Sequence, residues 1–295
     1  MNRTPPARLL AALEQGPAGT GKIEAATPVA GGDTHGAISV RAAGNSWFVK
    51  WGGPDTLPLF EAERRGLDVL AAAAGPRVPR ARATGGNDGH AWLILEHLDL
   101  RGSGNTADLG RSLAALHREV GPAHGFEAAN YIGHTPQAND WRACWVEFWW
   151  ERRLLPQLRL AEERGSGEDL SELAPALERA CRALLDHRPP PSLLHGDLWS
   201  GNHGFLSDGE PVVFDPACYY GDRETDIAMM RLFGGFDEGV LRAYETAWSL
   251  PAGHERRLGL YQLYHVLNHL NLFGRSWHGR AVTLARQIIA TAGVR

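Results

Sequence analysis

With 295 residues, 43% of them hydrophobic, the chain has material for one large core or two smaller ones. A formal net charge of −4 gives no broad basic field for nucleic acid or an anionic membrane, so any phosphate site has to be local. Three widely spaced cysteines, Cys144, Cys181 and Cys218, suggest neither a disulfide framework nor a C-x-x-C metal site, and a reducing cytoplasm is the expected compartment.

Met1 to Gln15 reads as a short amphipathic helix without the apolar core of a signal peptide, and no later stretch is long and apolar enough for a membrane span. From Thr27 to Lys50 the pattern is a strand at Pro28-Val29-Ala30, a glycine-rich turn and two further strands, Ala37 to Arg41 and Trp47 to Lys50. Backbone amides of the turn, Gly31, Gly32, Asp33, Thr34, His35 and Gly36, can fold over phosphates, because glycine permits close approach. Such hairpins are common without any ligand. Lys50 adds weight: the only lysines are Lys22 and Lys50, and a lysine retained in an arginine-rich chain marks a place where a compact ammonium is needed instead of a planar fork.

Pro58 to Ala74 predicts a helix with Phe60, Leu67 and Leu70 on its buried face, and either Glu61 or Glu63 should pair with Lys50; the spacing alone does not choose. Val78 to Thr84 and Ala91 to Leu95 complete a small sheet of about five strands. The exit at Leu93 to Leu98 offers backbone to an adenine, which makes Glu96 and Leu98 candidate nucleotide contacts. Arg101 to Asn105 reads as a flexible polar joint, after which the pattern turns helical. Asp108 to Glu119 forms a first helix, and Trp141, Trp145 and Trp149, four residues apart, fit a core-facing stripe better than a stacking wall for a ligand. Ser171 to Asp186 is amphipathic and is stopped by Pro189-Pro190-Pro191.

The richest stretch follows. His195-Gly196-Asp197 has an Asn five positions after the Asp, the H-x-D-x-x-x-x-N spacing of kinase-type phosphotransferases. An Asp at the start of such a loop can accept the proton of an attacking hydroxyl, and Asn202 can turn its amide oxygen to a magnesium ion. Thirteen residues on, the β-branched run Val212-Val213-Phe214 ends in Asp215, a second metal-ligating carboxylate; Ser207 to Glu210 reads as the hairpin turn between. Tyr219-Tyr220-Gly221-Asp222-Arg223-Glu224 opens a helix with acidic residues in its first turn, where Asp226 can support the loop by accepting its backbone amides. The remaining segments, Glu238 to Thr246, Glu255 to Leu272 and Ala281 to Thr291, are helical.

Together with Phe60-Glu61-Ala62-Glu63, Gly66-Leu67, Leu95-Glu96-His97-Leu98, Asn130-Tyr131-Ile132-Gly133 and Leu267-Asn268-His269, these pieces make the chain resemble the fructosamine-3-kinase (ketosamine-3-kinase) family, in the protein-kinase-like superfamily that also holds aminoglycoside and choline kinases. The resemblance runs from Gly31 to Gly274. It implies an α+β, bilobal kinase-like fold: residues 1–98 as a small nucleotide-binding lobe of antiparallel sheet with one helix, and residues 99–295 as a larger helical lobe with catalytic and substrate sites. It further implies ATP and Mg2+ as cofactors, Asp197 as base, Asn202 and Asp215 on magnesium, and Lys50 with Glu63 on the phosphates. Trp199 and His269 would lie toward the sugar, with His195 and Asp226 as structural support. The implied substrate is a sugar-amine small molecule or a glycated amine on a protein, with no nucleic-acid or membrane partner. Two departures stand out: no cysteine occurs in Asp33 to Gly36, and Ser276-Trp277-His278 replaces the tyrosine expected after Leu272-Phe273-Gly274.

A protein-kinase reading is disfavoured because only ten residues separate Asp215 from Asp226, too few for an activation segment. An aminoglycoside- or choline-type kinase is the enzymatic rival. A silent nucleotide-binding protein should have lost Lys50, Asp197, Asn202 or Asp215, and all four are present.

Overall fold

A computed structural model describes residues 4–15, 20–29 and 35–294. Gly31, Gly32, Asp33 and Thr34 of the glycine-rich turn lie outside the described residues. The chain divides into two compact units, Met1–Asn105 with Gly204–Asp215, and Thr106–His203 with Pro216–Arg295.

The first unit is built on a five-stranded antiparallel sheet. After α1 (Ala7–Gln15) come β1 (Ile23–Pro28), β2 (Gly36–Ala42), β3 (Asn45–Gly52), α2 (Leu57–Ala72), β4 (Ala81–Gly86) and β5 (Ala91–Glu96), in the sheet order β1-β2-β3-β5-β4. Alternation assigns the two faces. Ile38, Val40 and Ala42, Val49 and Trp51, and Trp92 and Ile94 share one buried layer with Leu9 and Leu13 of α1. The opposite parity, including Lys50 and its cross-strand partner Leu93, points away from that layer. On α2, Phe60, Leu67 and Leu70 are buried as expected.

Three expectations in this unit need adjustment. The first strand runs Ile23–Pro28 and ends where the expected one begins, because residues 25–28 pair continuously with Arg41 to Ile38. The strand expected from Val78 starts at Ala81, since Arg77 is drawn into a parallel bridge with Val212: its amide donates to Pro211 O at 3.0 Å, and the Val213 amide donates to Arg77 O at 2.9 Å. Arg101, expected in a free joint, exchanges backbone hydrogen bonds with Phe205 at 2.6 and 3.0 Å. These pairings hold the segment Gly204–Asp215 in the first unit. Its hairpin supplies β9 (His203–Phe205) and β10 (Pro211–Val213), numbered in chain order, and the turn is closed by Leu206 N donating to Glu210 O at 2.9 Å.

The second unit contains α3 (Thr106–His117), the hairpin β6 (Asn130–Ile132) and β7 (Thr135–Gln137), α4 (Trp145–Trp149), a π-helical turn (Trp150–Leu154), α5 (Leu155–Glu163) and α6 (Glu168–Leu184). Strand β8 (Ser192–Leu194) pairs antiparallel with β11 (Tyr219–Gly221), and α7 (Glu224–Leu232), α8 (Glu238–Ala247), α9 (His254–Phe273) and α10 (His278–Ala292) complete it. Tyr219 to Gly221 is thus a strand, not the opening of α7. Of the tryptophan stripe, Trp145 and Trp149 are buried but Trp141 is exposed, because Arg142 makes a β-bridge with His124 and the helix starts only at Trp145. Cys144, Cys181 and Cys218 form no disulfide. Among the described residues no helix is long and apolar enough to cross a membrane.

Helices α3 and α8 touch through Gly110, where an added Cβ would sit 2.2 Å from Val240 O and 2.8 Å from the Tyr244 amide nitrogen. Gly110→Ala should force the two backbones apart and destabilise the fold by about 1–3 kcal/mol, the range for overpacking. Gly279→Ala, on α10 with nothing within 4 Å, is the control and should be neutral or slightly stabilising. Thermal midpoints of the two variants check this. Equal midpoints would remove Gly110 from its role as the contact point.

Candidate functional site

The first unit gathers three charged side chains. Lys50 Nζ lies 2.7 Å from Glu63 Oε1 and 2.5 Å from Asp215 Oδ1, with the lysine side chain only 12% exposed. Strand parity aims Lys50 away from the α1 layer, and helical phase aims Glu63 back at it, because Glu63 falls on the same stripe as Phe60, Leu67 and Leu70. Glu61 points to solvent. Asp215 stands just beyond β10 with φ +59°, a left-handed conformation that costs an Asp of order 1 kcal/mol and needs surrounding contacts to hold it.

Two carboxylates share one ammonium, so the group has one carboxylate more than the lysine can pair as a charge. Burial would strip the ammonium of its proton, but the nearby Asp215 and Glu63 carboxylates outweigh it and hold Lys50 charged well above its ordinary range. Burial, with Asp215 adding repulsion against the attraction of Lys50, pushes Glu63 up to about 7. The surplus carboxylate is chemically suited to a divalent cation, and Asp215, the more exposed of the two, has the oxygen ligands that magnesium prefers.

Of the expected nucleotide contacts, Glu96 is tied to Arg77 at 2.5 Å, its amide donates to Arg80 O at 2.8 Å, and Leu98 is half-buried just past β5. His35 tilts against Phe60 with ring centroids 5.0 Å apart, and Gly36 begins β2 opposite Trp51.

In the second unit the loop from His195 to Asn202 leaves β8 and bends at Gly196. There φ is +83°, and a Cβ would meet Ala217 O at 2.1 Å, so only glycine fits. Asp226 accepts from the amides of His195 at 2.8 Å and Gly196 at 2.9 Å, one on each oxygen. Burial disfavours its charge, but the hydrogen bond from His117 and those of the loop keep its carboxyl below the usual range. The Asp197 amide donates to His195 Nδ1 at 3.3 Å, which orients that imidazole. Asn202, 5% exposed, donates from Nδ2 to Asp197 O at 2.9 Å, and this turns the oxygen of its amide to the other side. The Trp199 ring lies over Gly201 and is 39% exposed, while His269 is half-buried, tilted against Phe233, Phe273 and Trp277.

Within each unit the expected residues therefore converge: Lys50, Glu63 and Asp215 in the first; His195, Asp197, Asn202 and Asp226 in the second. Sequence reasoning missed His117, whose Nε2 is 3.2 Å from Asp226 Oδ2. The available signal was a histidine at helical spacing from Leu109 and Leu113, which reads equally well as the end of an apolar stripe.

Residues 8–291 match the fructosamine kinase family. A probable ketoamine kinase of Synechocystis sp. is 40% identical over 91% of each chain, and the chloroplastic protein-ribulosamine 3-kinase of Arabidopsis thaliana is 39% identical over 87% of this chain and 80% of its own. Among solved structures, a Haemophilus somnus 129PT protein assigned as a fructosamine-3-kinase superposes with a TM-score of 0.84 at 29% identity, covering 95% of both chains. Aminoglycoside phosphotransferase APH(4)-Ia, at 17% identity, covers 90% of this chain and 94% of its own with a TM-score of 0.58, a likeness of fold alone. With its antiparallel N-terminal sheet, its helical C-terminal region and the His195–Asn202 loop between β8 and β9, this chain belongs to the fructosamine kinase family.

Proposed function

We propose that the protein is an ATP-dependent ketosamine 3-kinase, transferring the γ-phosphoryl group of ATP to a sugar hydroxyl of a small sugar-amine or of a glycated amine on a protein. The observation that carries the phosphotransfer reading is the burial of Lys50 against Glu63 and Asp215: a buried ammonium fixed between carboxylates is a rigid point charge for the phosphates. Membership of the fructosamine kinase family supports the ketosamine substrate.

Each residue then has a role. Asp197 accepts the proton of the attacking hydroxyl, and His195 and Asp226 hold the backbone from which it projects. Lys50, positioned by Glu63, contacts the α- and β-phosphates. Glycine-rich residues 31–36 and the backbone at Glu96 and Leu98 take the rest of the nucleotide, which makes residues 1–98 the nucleotide-binding lobe and 99–295 the catalytic and substrate-binding lobe. Asn202 and Asp215 are the residues that would hold Mg2+, which when bound offsets charge on the phosphates. Trp199, exposed two residues past the base, offers its ring to the apolar face of the sugar, and His269 borders the same end. The reaction belongs in the cytoplasm.

Asp197→Asn should keep ATP binding yet lose turnover by roughly 10²-fold or more. Purified wild type and variant, assayed for ATP consumption with ribulosamines, fructosamines, choline and an aminoglycoside, test both parts. Wild-type turnover by the variant would remove Asp197 from its role, and phosphorylation of choline or the aminoglycoside alone would overturn the substrate assignment.

Lys50→Arg preserves charge but widens the head and alters its reach, and a displacement of about 1 Å costs on the order of 10²-fold in rate. It should be folded and badly impaired, whereas Lys22→Arg, at an exposed position, should be nearly silent. Matching, near-wild-type rates for the two would make Lys50 an ordinary strand lysine.

The raised Glu63 value carries a sign. A carboxyl whose folded value lies above its ordinary 4.5 contributes stability that is complete below 4.5 and lost as pH rises through about 7. The thermal midpoint of wild type relative to Glu63→Gln should therefore fall between pH 5 and pH 8. A difference constant across that window would show that Glu63 does not titrate there.

A further inference from the structure

Asp226 is the meeting point of a longer chain of buried polar atoms. Its Oδ2 lies 3.2 Å from His117 Nε2; His117 Nδ1 lies 2.7 Å from the Tyr244 hydroxyl; and Arg223 Nη1 donates to that hydroxyl at 3.0 Å. His117 and Tyr244 are both 0% exposed. Arg223 is anchored in turn, donating to Trp248 O at 3.0 Å and Ser249 O at 2.6 Å and stacking on the Trp248 ring at 3.8 Å.

Hydrogen counting fixes the direction of the chain. A guanidinium has donors only, so Arg223 gives a proton to the Tyr244 oxygen. The phenol has a single hydrogen, and His117 Nδ1 lies 2.7 Å from its oxygen, so Tyr244 donates to Nδ1. An imidazole that accepts at Nδ1 carries its proton on Nε2, and that proton faces Asp226. An Asp receiving His117 on one oxygen and the amides of His195 and Gly196 across both is an anion held by these donors. A proton on Nδ1 instead would set two donors against the Tyr244 oxygen and leave its own hydrogen without a partner in a buried site.

We infer that His117 is a positioning residue for phosphotransfer: locked as the Nε2-protonated tautomer by Arg223 and Tyr244, it orients the Asp226 carboxylate that holds the His195–Gly196 backbone, and through it the placement of Asp197. The lock reaches the loop from α3, α7 and α8, elements with no side chain in the reaction. Its catalytic part rests on the phosphotransferase reading; the tautomer does not.

The test has two arms. In 15N-labelled wild-type protein, the His117 ring should show a protonated Nε2 and an unprotonated, hydrogen-bonded Nδ1, and in Tyr244→Phe this preference should weaken. A protonated Nδ1 in the wild type overturns the inference whatever the enzyme's substrate. In the kinetic arm, His117→Ala should lower kcat about tenfold or more while leaving KM for ATP within about twofold. His117→Gln, whose carboxamide nitrogen can occupy the Nε2 position and donate to Asp226, should recover most of that loss. If both variants show the same kcat once corrected for folded fraction, the residue is only structural and the inference falls. If the wild type fails to turn over any ketosamine while the tautomer is as stated, the functional reading is what fails.

Discussion

A lysine ammonium taken out of water is the constraint on which the first unit depends. Leaving such a charge unpaired costs several kcal/mol, so the fold has to deliver carboxylates to it. It does so from two places far apart in sequence, Glu63 on α2 and Asp215 beyond β10, and this explains why the chain returns to the first unit for residues 204–215 after leaving it. The bridges Arg77–Val212 and Arg101–Phe205 are the backbone side of the same requirement. They seat β9 and β10 so that the residue following them arrives at the lysine. The left-handed backbone of Asp215 is then understandable as a conformation held by its neighbours, since an isolated Asp would relax from it.

Much of this was legible before any coordinates. The patterns of apolar residues and turns placed four of the five strands and most of the helices to within a few residues, because each element buries one face and its pattern records which, while the first strand lies upstream of its expected place. Composition singled out Lys50. Spacing left Glu61 and Glu63 open; in the structure Glu63, three after Phe60 and four before Leu67, lies on the inward stripe of α2, whereas Glu61 lies about a hundred degrees off it and is exposed. What could not be read were pairings between distant segments. Arg101 looks like joint material until Phe205, more than a hundred residues on, pairs with it, and Trp141 looks helical until His124 claims its neighbour Arg142. His117 has no local signature at all, because its partners, Asp226 and Tyr244, are each more than a hundred residues away.

The run Asp222-Arg223-Glu224 illustrates the limit from the other side. As sequence it is the acidic opening of a helix, a solvated feature. In the structure all three are buried and tied to distant segments: Asp222 accepts from His187 at 2.7 Å and from Tyr261 of α9 at 2.6 Å, Arg223 runs to Tyr244 and the end of α8, and Glu224 takes the Arg257 guanidinium of α9 on both oxygens at 2.7 and 2.8 Å. His187, Asp222 and Glu224 lie close enough to resemble a metal site. Arg257 argues against that use, because it already neutralises Glu224 with the bidentate geometry that carboxylates favour.

Buried ion pairs of this kind contribute little net stability, because desolvation offsets most of the attraction, but each admits only a narrow range of partner positions. Four anchors, Asp222, Arg223, Glu224 and Asp226, therefore act less as glue than as a jig that sets the start of α7 against α3, α8 and α9 and leaves the His195–Gly196 amides facing one carboxylate. This separates two kinds of motif residue. The distinctive Tyr-Tyr-Gly-Asp-Arg-Glu run serves the architecture beneath the loop, so its presence argues for a firmly held His195–Gly196 backbone. The side chains that stay accessible near the loop and at the end of α9 are of another kind: Trp199 and Phe273 are exposed, and Trp277 closes a cluster around His269 that is made of ring contacts.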